Sequence, residues 1–329
     1  MKQILSIIFF VMLFVACENE PKVEDNTLKI TEKNIVAPDF NADSAYQYVK
    51  SQVDFGPRVP NSESHVKCAN YLISEMKKYA DSVYVQQFTA NAYNGDKLKA
   101  KNIIAEFNSN QTNRILLFAH WDSRPYADHS ENPEEWEVPI DGANDGASGV
   151  GVLMEIARNL HAKMPTVGVD IIFFDVEDYG QADHKNLPYQ EDTWCLGSQY
   201  WSKNKHIPGY YAKYGILLDM VGAKNAFFTK EGTSVYFAPS IVDRVWKIAE
   251  KSGYGNFFLN QKTSPVTDDH YYVNILAQIP SIDIIQHDPT TESGFGAYWH
   301  THNDNMSIID KVTLQAVGQT VLELIYSEK

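Results

Sequence analysis

The chain has 329 residues, of which 44% are hydrophobic, and its formal net charge at pH 7 is −14. This length and apolar content are ordinary for a globular chain with a sizeable core, and one large α/β domain is common at this size. The strong negative charge argues against binding to nucleic acid, or to anionic membranes through charge, because both require basic surfaces.

The N-terminal end predicts an export signal rather than part of the fold. Lys2 precedes an apolar run from Ile4 to Ala16, which is too short for a membrane-spanning helix. The run ends in "LFVAC", which resembles the cleavage box of bacterial lipoproteins, so we expect residues 1–16 to be removed and Cys17 to carry a lipid. An ordinary signal followed by a chance cysteine is the alternative. The lipoprotein interpretation places the protein in the bacterial cell envelope, anchored by its lipid and facing the periplasm or on the outer membrane.

The rest of the chain divides into a tether and one domain. Residues 17–39 are polar and without periodicity, which is typical of a flexible tether. No Pro- or Gly-rich linker divides residues 40–329, so they are predicted to form a single domain. Two cysteines remain there, Cys68 and Cys195, and the sequence leaves open whether they form a disulfide.

Predicted strands and helices alternate along this domain. Helices are predicted over residues 62–79, 142–162 and 310–327, and strands over residues 82–90, 101–107, 114–123, 171–174, 214–222 and 281–288. Apolar strands that alternate with helices imply an α/β fold with a central mixed, mostly parallel twisted sheet flanked by helices on both faces.

Acidic residues and a histidine stand where three of these strands end. They are His120 and Asp122, then Asp175, Glu177 and Asp178, and finally Asp219. Because sites in open α/β sheets form beyond the carboxyl ends of the strands, we expect these side chains to converge. Carboxylates in a cluster repel one another unless a cation neutralises them, and carboxylates together with histidine favour a divalent metal, zinc before calcium or magnesium.

Five short motifs, in order, resemble the zinc aminopeptidase superfamily with co-catalytic metal sites. They are "HWDS" (120–123), "NDGASG" (144–149), "VEDYG" (176–180), "LLDMVG" (217–222) and "HTHND" (300–304). Within that superfamily the chain is most similar to the glutaminyl cyclases. The segments that carry this closer likeness are "DFGPRVPNS" (54–62), "TDDHYYV" (267–273) and "FGAYWHTHNDN" (295–305).

The resemblance implies a zinc ion held by Asp145, Asp178 and His300, with a fourth position open for water or substrate. A helix N-cap is the alternative role for Asp145, and His302 is the alternative to His300. The superfamily usually has glutamate where this chain has Asp178, so the resemblance leaves the coordination geometry open.

A second set of residues resembles the other metal position of the aminopeptidases. His120 and Asp219 would be its ligands, with Asp145 bridging the two positions and Asp122 orienting His120. Glutaminyl cyclases keep these residues yet use one zinc, so one zinc per chain is expected, or two in an aminopeptidase. Asp175 is expected either to support the metal ligands or to cap the strand exit.

The implied activity is that of a glutaminyl-peptide cyclotransferase, which converts the N-terminal Gln of peptides or proteins to pyroglutamate and releases ammonia. The resemblance makes Glu177 the general acid/base, and Asp219 and Asp268 an acidic network that holds the substrate amine. The alternative is a two-zinc aminopeptidase in which Glu177 is the base. A third interpretation, a binding domain that has lost its metal, is disfavoured because the acidic residues and histidines are all present.

Aromatic residues complete the expected site. Phe295, Trp299 and Trp194 are predicted to line the pocket for the Gln side chain, and ordinary core packing is the alternative. Four further histidines are interpreted as surface residues; they are His65, His161, His184 and His206.

Overall fold

Eight strands are present in the computed structural model, which describes residues 36–329. They are β1 (Ser82–Asn91), β2 (Lys97–Phe107), β3 (Arg114–His120), β4 (Gly168–Phe174), β5 (Gly215–Asp219), β6 (Phe228–Lys230), β7 (Phe258–Lys262) and β8 (Ser281–Ile285). Six of them form one sheet in the order β1-β2-β4-β3-β5-β8, and β6 pairs with β7 in a separate small sheet. The strands β4, β3, β5 and β8 are parallel neighbours, whereas β2 is antiparallel to both β1 and β4. The predicted mixed, mostly parallel sheet is therefore confirmed.

Within the described residues 36–329, eight α-helices lie around this sheet. They are α1 (Ala42–Val53), α2 (Glu63–Met76), α3 (Ala147–Ala162), α4 (Leu196–Lys203), α5 (Gly232–Phe237), α6 (Pro239–Lys251), α7 (Asp269–Tyr272) and α8 (Lys311–Ser327). The predicted helices correspond to α2, α3 and α8. The pattern in residues 62–79 overran the end of α2, because residues 77–80 turn away from the helix through short-range backbone hydrogen bonds.

Both faces of the sheet are buried, as its parallel strands require. Successive side chains of β3 alternate between two cores: Leu117 and Ala119 pack on one side, and Leu116 and Phe118 on the other. Helices α1, α3 and α8 contribute to the first core, and α4 contributes Trp201 to the second. The prediction of helices on both faces is confirmed.

The N-terminal predictions lie mostly outside the described residues. The signal segment and Cys17 are not among them, and the predicted tether overlaps them only at residues 36–39. Ala37 is already buried in the core, so the folded part begins slightly earlier than residue 40. Within residues 36–329, none of the helices is long and apolar enough to cross a membrane. Cys68 and Cys195 are both buried free thiols, so the disulfide that the sequence left open is not formed.

The ends of three parallel strands bring the polar motifs to one edge of the sheet. His120 is the last residue of β3 and lies opposite Phe174, the last residue of β4, in the parallel ladder. Asp219 is the last residue of the adjacent strand β5. The residues that follow β4 therefore stand beside His120 and Asp219, as the strand-end argument predicted.

Candidate active site

Asp145, Asp178 and His300 form one group of possible metal ligands. Their ligand atoms lie within 4.8 Å of one another, and all three residues are buried. His300 Nε2 is 3.3 Å from Asp178 Oδ1 and 3.6 Å from Asp145 Oδ2. His302, the alternative ligand, lies outside this group with its Nδ1 3.4 Å from Glu135 Oε2.

The loop before α3 holds Asp145 in place. Asp304 accepts hydrogen bonds from the backbone N–H groups of Asn144 and Asp145, at 2.7 and 3.0 Å. Gly146 is the N-cap of α3, so Asp145 does not cap the helix. A Cβ atom at Gly146 would lie 2.5 Å from the carbonyl oxygen of Asp122, and its φ of 95° also requires glycine.

A sharp turn after β4 delivers Asp178. Val176 has a φ of 56°, a backbone conformation that β-branched residues rarely adopt. Asp122 stabilises the turn, because its two carboxylate oxygens accept the N–H groups of Glu177 and Asp178, each at 3.1 Å. Its Oδ1 is also 3.5 Å from His120 Nδ1, so Asp122 contacts both the turn and the histidine that it was predicted to orient.

His300 is oriented by an acid that the sequence analysis did not identify. Its Nδ1 lies 3.4 Å from Asp128 Oδ1. Arg124 binds the same carboxylate with two hydrogen bonds, of 2.9 and 2.5 Å, and donates to the carbonyl oxygen of Asp178 at 3.0 Å. Although burial raises the pKa of Asp128, the hydrogen bonds from Arg124 and the proximity of His300 outweigh it and hold that pKa well below its ordinary value. Asp128 therefore stays ionised and fixes the ring of His300.

A second group of possible ligands shares Asp145 with the first. His120 Nε2 is 3.0 Å from Asp145 Oδ1 and 3.3 Å from Asp219 Oδ1. Asp145 thus points one oxygen at each histidine of the site, which is the arrangement of a bridging carboxylate. Burial, opposed by the neighbouring His120 imidazole and reinforced by the charges of Asp268 and Asp145, raises the pKa of Asp219 to about 8.

The donor set fits zinc. Both carboxylate oxygens of Asp178 are buried and accept no hydrogen bond, and the same is true of Asp219 Oδ1. Burial, followed by the charge of Asp145, raises the pKa of Asp178 to about 6. Because buried charges require a partner, these oxygens are suited to a cation. Two carboxylates and one imidazole are ordinary ligands of a catalytic zinc.

Glu177 stands next to this donor set without belonging to it. Its Oε1 accepts a hydrogen bond from the thiol of Cys195 at 3.1 Å, and ligand atoms of Glu177, Cys195 and Asp268 lie within 4.8 Å of one another. Burial of the carboxylate raises the pKa of Glu177 well above its ordinary value, and the negative charges of Asp268 and Asp178 raise it further. A carboxyl group of this kind is suited to proton transfer near neutral pH.

Asp175 does not take part in the site. Its carboxylate accepts hydrogen bonds from His65 Nε2 at 2.9 Å and from the backbone N–H groups of Lys101 and Val176, at 2.6 and 2.9 Å. It therefore caps the strand exit. The interpretation of His65 as a surface residue is wrong, because its ring is fully buried and stacks on Trp121. His184 and His206 are also largely buried, and of these four histidines only His161 is exposed.

Two tryptophans line a cleft of about 800 Å³ that ends at His300. The ring of Trp299 stacks on His300 with centroids 3.7 Å apart, and Trp194 lies parallel to His300 at 6.0 Å. Trp194 also packs against the guanidinium of Arg124, 4.4 Å from the ring centroid. Phe295 does not line this cleft. Its ring centroid lies 4.9 Å from that of Trp299, and Phe295 lines a neighbouring cavity. It therefore contacts a wall residue of the cleft.

Comparison with known proteins identifies the family. Residues 102–325 match the family model described as peptidase family M28. This chain belongs to peptidase family M28. The match spans β2 to α8 and so includes all the ligand candidates of this M28 site.

Solved structures of M28-like fold resemble the chain over nearly its whole length. A Zn-dependent exopeptidase from Parabacteroides distasonis is 55% identical, with a TM-score of 0.88, and the alignment covers 89% of this chain and 100% of that one. A Bacteroides thetaiotaomicron glutaminyl cyclase is 54% identical with the same TM-score and coverage. A glutaminyl-peptide cyclotransferase from Drosophila melanogaster is 24% identical, covering 89% of this chain and 83% of the relative.

Several residues that hold the proposed ligands or Glu177 in place were not predicted from the sequence. They are Arg58, Arg124, Asp128, Cys195 and Asp304. Arg58 is fully buried and binds the carbonyl oxygens of Trp121 and Gly142, at 3.1 and 2.7 Å, which ties the loop before Asp145 to the end of β3. The only sequence signal for it was its place inside the segment "DFGPRVPNS", which gave the residue no role.

Proposed function

We propose that this chain is a zinc-dependent glutaminyl-peptide cyclotransferase that acts on peptides or proteins with an N-terminal Gln. The observation that carries the proposal is the cleft between Trp194 and Trp299, which ends at His300 with Glu177 beside the ligand group. Flat aromatic walls suit a planar side-chain amide, and the high identity to solved glutaminyl cyclases supports the same assignment.

Asp145, Asp178 and His300 would hold the zinc ion. When bound, the zinc supplies Lewis-acid polarisation of the carbonyl of the substrate's side-chain amide. Arg124 and Asp128 keep His300 in the orientation that this requires, and Asp304 does the same for the Asp145 backbone.

Glu177 moves the proton in the reaction. It accepts a proton from the substrate's α-amine, whose nitrogen then forms a bond to the side-chain carbonyl carbon. The bond from that carbon to the amide nitrogen breaks, and Glu177 returns the proton to the departing ammonia. Both reacting groups belong to one residue, so the main task of the cleft is to orient them.

Asp219 and Asp268 are placed to hold the substrate's amine. Both are buried, and burial raises the pKa of each. Asp268 is also the N-cap of α7, which fixes its position. This placement supports the acidic network that the resemblance implied.

A two-zinc aminopeptidase is the second candidate. The observation that favours it is the complete second group, His120, Asp145 and Asp219, with Asp145 placed between the two histidines. The solved exopeptidase relative is consistent with it. In that reaction Glu177 would be the base that activates water for attack on the first peptide bond.

The test uses the soluble fragment that begins near Asn26 and a short peptide with N-terminal Gln. The cyclase is expected to remove one ammonia and leave the chain length intact, as followed by mass spectrometry. Release of free Gln would instead establish the aminopeptidase. Metal analysis of the same sample separates the two independently, since about one zinc per chain is expected for the cyclase and about two for the peptidase.

We further propose that the enzyme works at the bacterial cell envelope, tethered by a lipid on Cys17. The support is the apolar run and the "LFVAC" box of the sequence. In cell fractionation, the wild-type protein is expected with the membranes and a Cys17→Ser variant in the soluble fraction. Recovery of both proteins in the same fraction would contradict the lipid anchor.

A further inference from the structure

The thiol of Cys195 touches the proposed general acid/base, and the mechanism above gives it no role. Its Sγ atom donates a hydrogen bond to Glu177 Oε1 at 3.1 Å. Cys195 is fully buried, and burial, reinforced by the charge of Glu177, raises the pKa of the thiol well above its ordinary value. The sulfur therefore carries its proton and acts as a donor rather than a nucleophile.

The backbone fixes the position of this thiol. The N–H of Cys195 donates to the carbonyl oxygen of Glu177, and the N–H of Leu196 donates to that of Val176, both at 2.9 Å. These two bonds join the start of α4 to the turn that follows β4. Cys195 itself has a φ of 57°, which directs its side chain back along this turn toward the Glu177 carboxylate.

Glu177 has little else to hold its side chain. Within residues 36–329, no other side chain donates a hydrogen bond to its carboxylate. The nearby carboxylate of Asp268 repels it when both are ionised, as does that of Asp178 on the ligand side. A carboxylate between two acids requires a donor to keep one orientation, and the thiol is the donor present.

We propose that Cys195 is a positioning residue, whose S–H group holds Oε1 of Glu177 so that the other carboxylate oxygen faces the substrate's amine. The inference rests on the proposed function, in which Glu177 moves the proton. A thiol is a weak hydrogen-bond donor, so it orients the carboxylate while leaving it basic enough to accept that proton. Orientation of this kind acts on turnover rather than on substrate binding.

Kinetics of four variants test this role. Cys195→Ala removes the donor and is expected to lower kcat about tenfold, the effect of one oriented hydrogen bond, with KM changed less than about twofold. Cys195→Ser restores an O–H donor, on a shorter bond to Cβ, and is expected to stay within about threefold of the wild-type kcat. Cys68→Ala and Cys68→Ser are the matched controls, because Cys68 is equally buried but lies in α2 outside the ligand groups. All four should keep the wild-type zinc content.

Three kinetic outcomes would overturn the proposal. The first is a wild-type kcat in Cys195→Ala. The second is a Cys195→Ser variant as impaired as Cys195→Ala, which would show that the sulfur matters for packing alone. The third is a loss of activity that parallels a loss of zinc, since the effect would then come from the metal ligands.

An infrared measurement tests the contact without using activity. A thiol that donates a hydrogen bond has a lower S–H stretching frequency, and the Cys68 and Cys195 variants assign each band. The Cys195 band is expected to move to higher frequency in Glu177→Leu, which removes the acceptor, while the Cys68 band stays in place. A Cys195 band that does not move refutes the contact. If the wild-type protein fails to cyclise the Gln peptide but this band moves, the proposed function fails and the hydrogen bond stands.

Discussion

Two aspartate–histidine pairs lie close together after β4, and they differ in how the carboxylate is satisfied. Asp175 pairs with His65, and its oxygens also accept two backbone N–H groups. Asp178 lies only a turn further along the chain and pairs with His300, yet neither of its oxygens accepts a hydrogen bond. Both pairs are fully enclosed by protein.

The difference shows which buried acid is structural and which needs a cation. The hydrogen bonds to Asp175 replace the water that it lost on burial, so this carboxylate is satisfied without a cation. Asp178 has lost its water without a replacement, and its charge adds to that of Asp145. The crowded acids after β4 therefore divide into a cap for the strand and a ligand for the metal.

The largest expected effect comes from removing the charge of Asp178, whose carboxylate oxygens accept no hydrogen bond. Asp178→Asn is expected to lose zinc on dialysis and to abolish turnover, because a neutral amide cannot offset the charge of a divalent ion. Zinc analysis and the peptide assay measure both quantities. Asp175→Asn is the matched control and should retain its zinc. A full complement of zinc in Asp178→Asn would contradict the assignment of Asp178 as a ligand.

Glu177 lies between Asp175 and Asp178 in the sequence. Its substitution is expected to change the rate of the chemical step alone. Glu177→Gln should lower kcat by a factor of about 10² to 10⁴, the usual contribution of a general acid/base. Zinc content and melting temperature should stay at wild-type values, because the residue is not one of the three proposed zinc ligands. If kcat of this variant is unchanged, then Glu177 does not move the proton and both enzyme assignments fail as written.

Asp128 tests whether His300 depends on its own supporting acid. Asp128→Asn is expected to weaken zinc binding by about 10- to 100-fold, as removal of such a partner usually does. Competition with a chelator measures this affinity, and Asp96→Asn provides an acid-to-amide control at an exposed position. Equal zinc affinity in the two variants would mean that the ring of His300 is held by Trp299 alone.

The smallest effect on catalysis is expected when Asp175 of the Asp175–His65 pair is replaced. Asp175→Ala leaves His65 buried without its partner and should destabilise the fold by about 3 kcal/mol. The kcat of the folded fraction should remain within a few-fold of wild type. Denaturant unfolding with the zinc-loaded protein gives the stability, and a large fall in kcat at full zinc occupancy would show that Asp175 also acts on the site.

The sequence predicted the sheet and the ligand candidates because both depend on local patterns. Apolar runs marked β3, β4, β5 and β8. Short motifs at or after the ends of β3, β4 and β5, before α3 and ahead of α8 marked the acids and histidines. Five helices and two strands were not predicted, although α1 ends just before "DFGPRVPNS" and α7 lies within "TDDHYYV"; they are α1, α4, α5, α6, α7, β6 and β7.

What the sequence could not supply was the partner of each side chain. The segment "DVED" gives no sign that Asp175 and Asp178 have different roles. Only their contacts, with His65 and His300 respectively, distinguish the two roles. Asp128 and Cys195 were missed for the same reason, because each acts on a residue distant along the chain. Phe295 was predicted to line the pocket, but its motif could not show that it contacts Trp299 and lines a neighbouring cavity instead.

The ladder that places His120 opposite Phe174 makes this centre sensitive to insertions and deletions within β3 and β4, in addition to substitutions of its side chains. A single residue added within β4 would turn each of the following side chains to the opposite face of the sheet. The place of Asp178, the acid that now faces His300, would then be taken by Glu177. Length variation should therefore be tolerated in the outer hairpin of β1 and β2, while the lengths of β3 and β4 are fixed together as one unit.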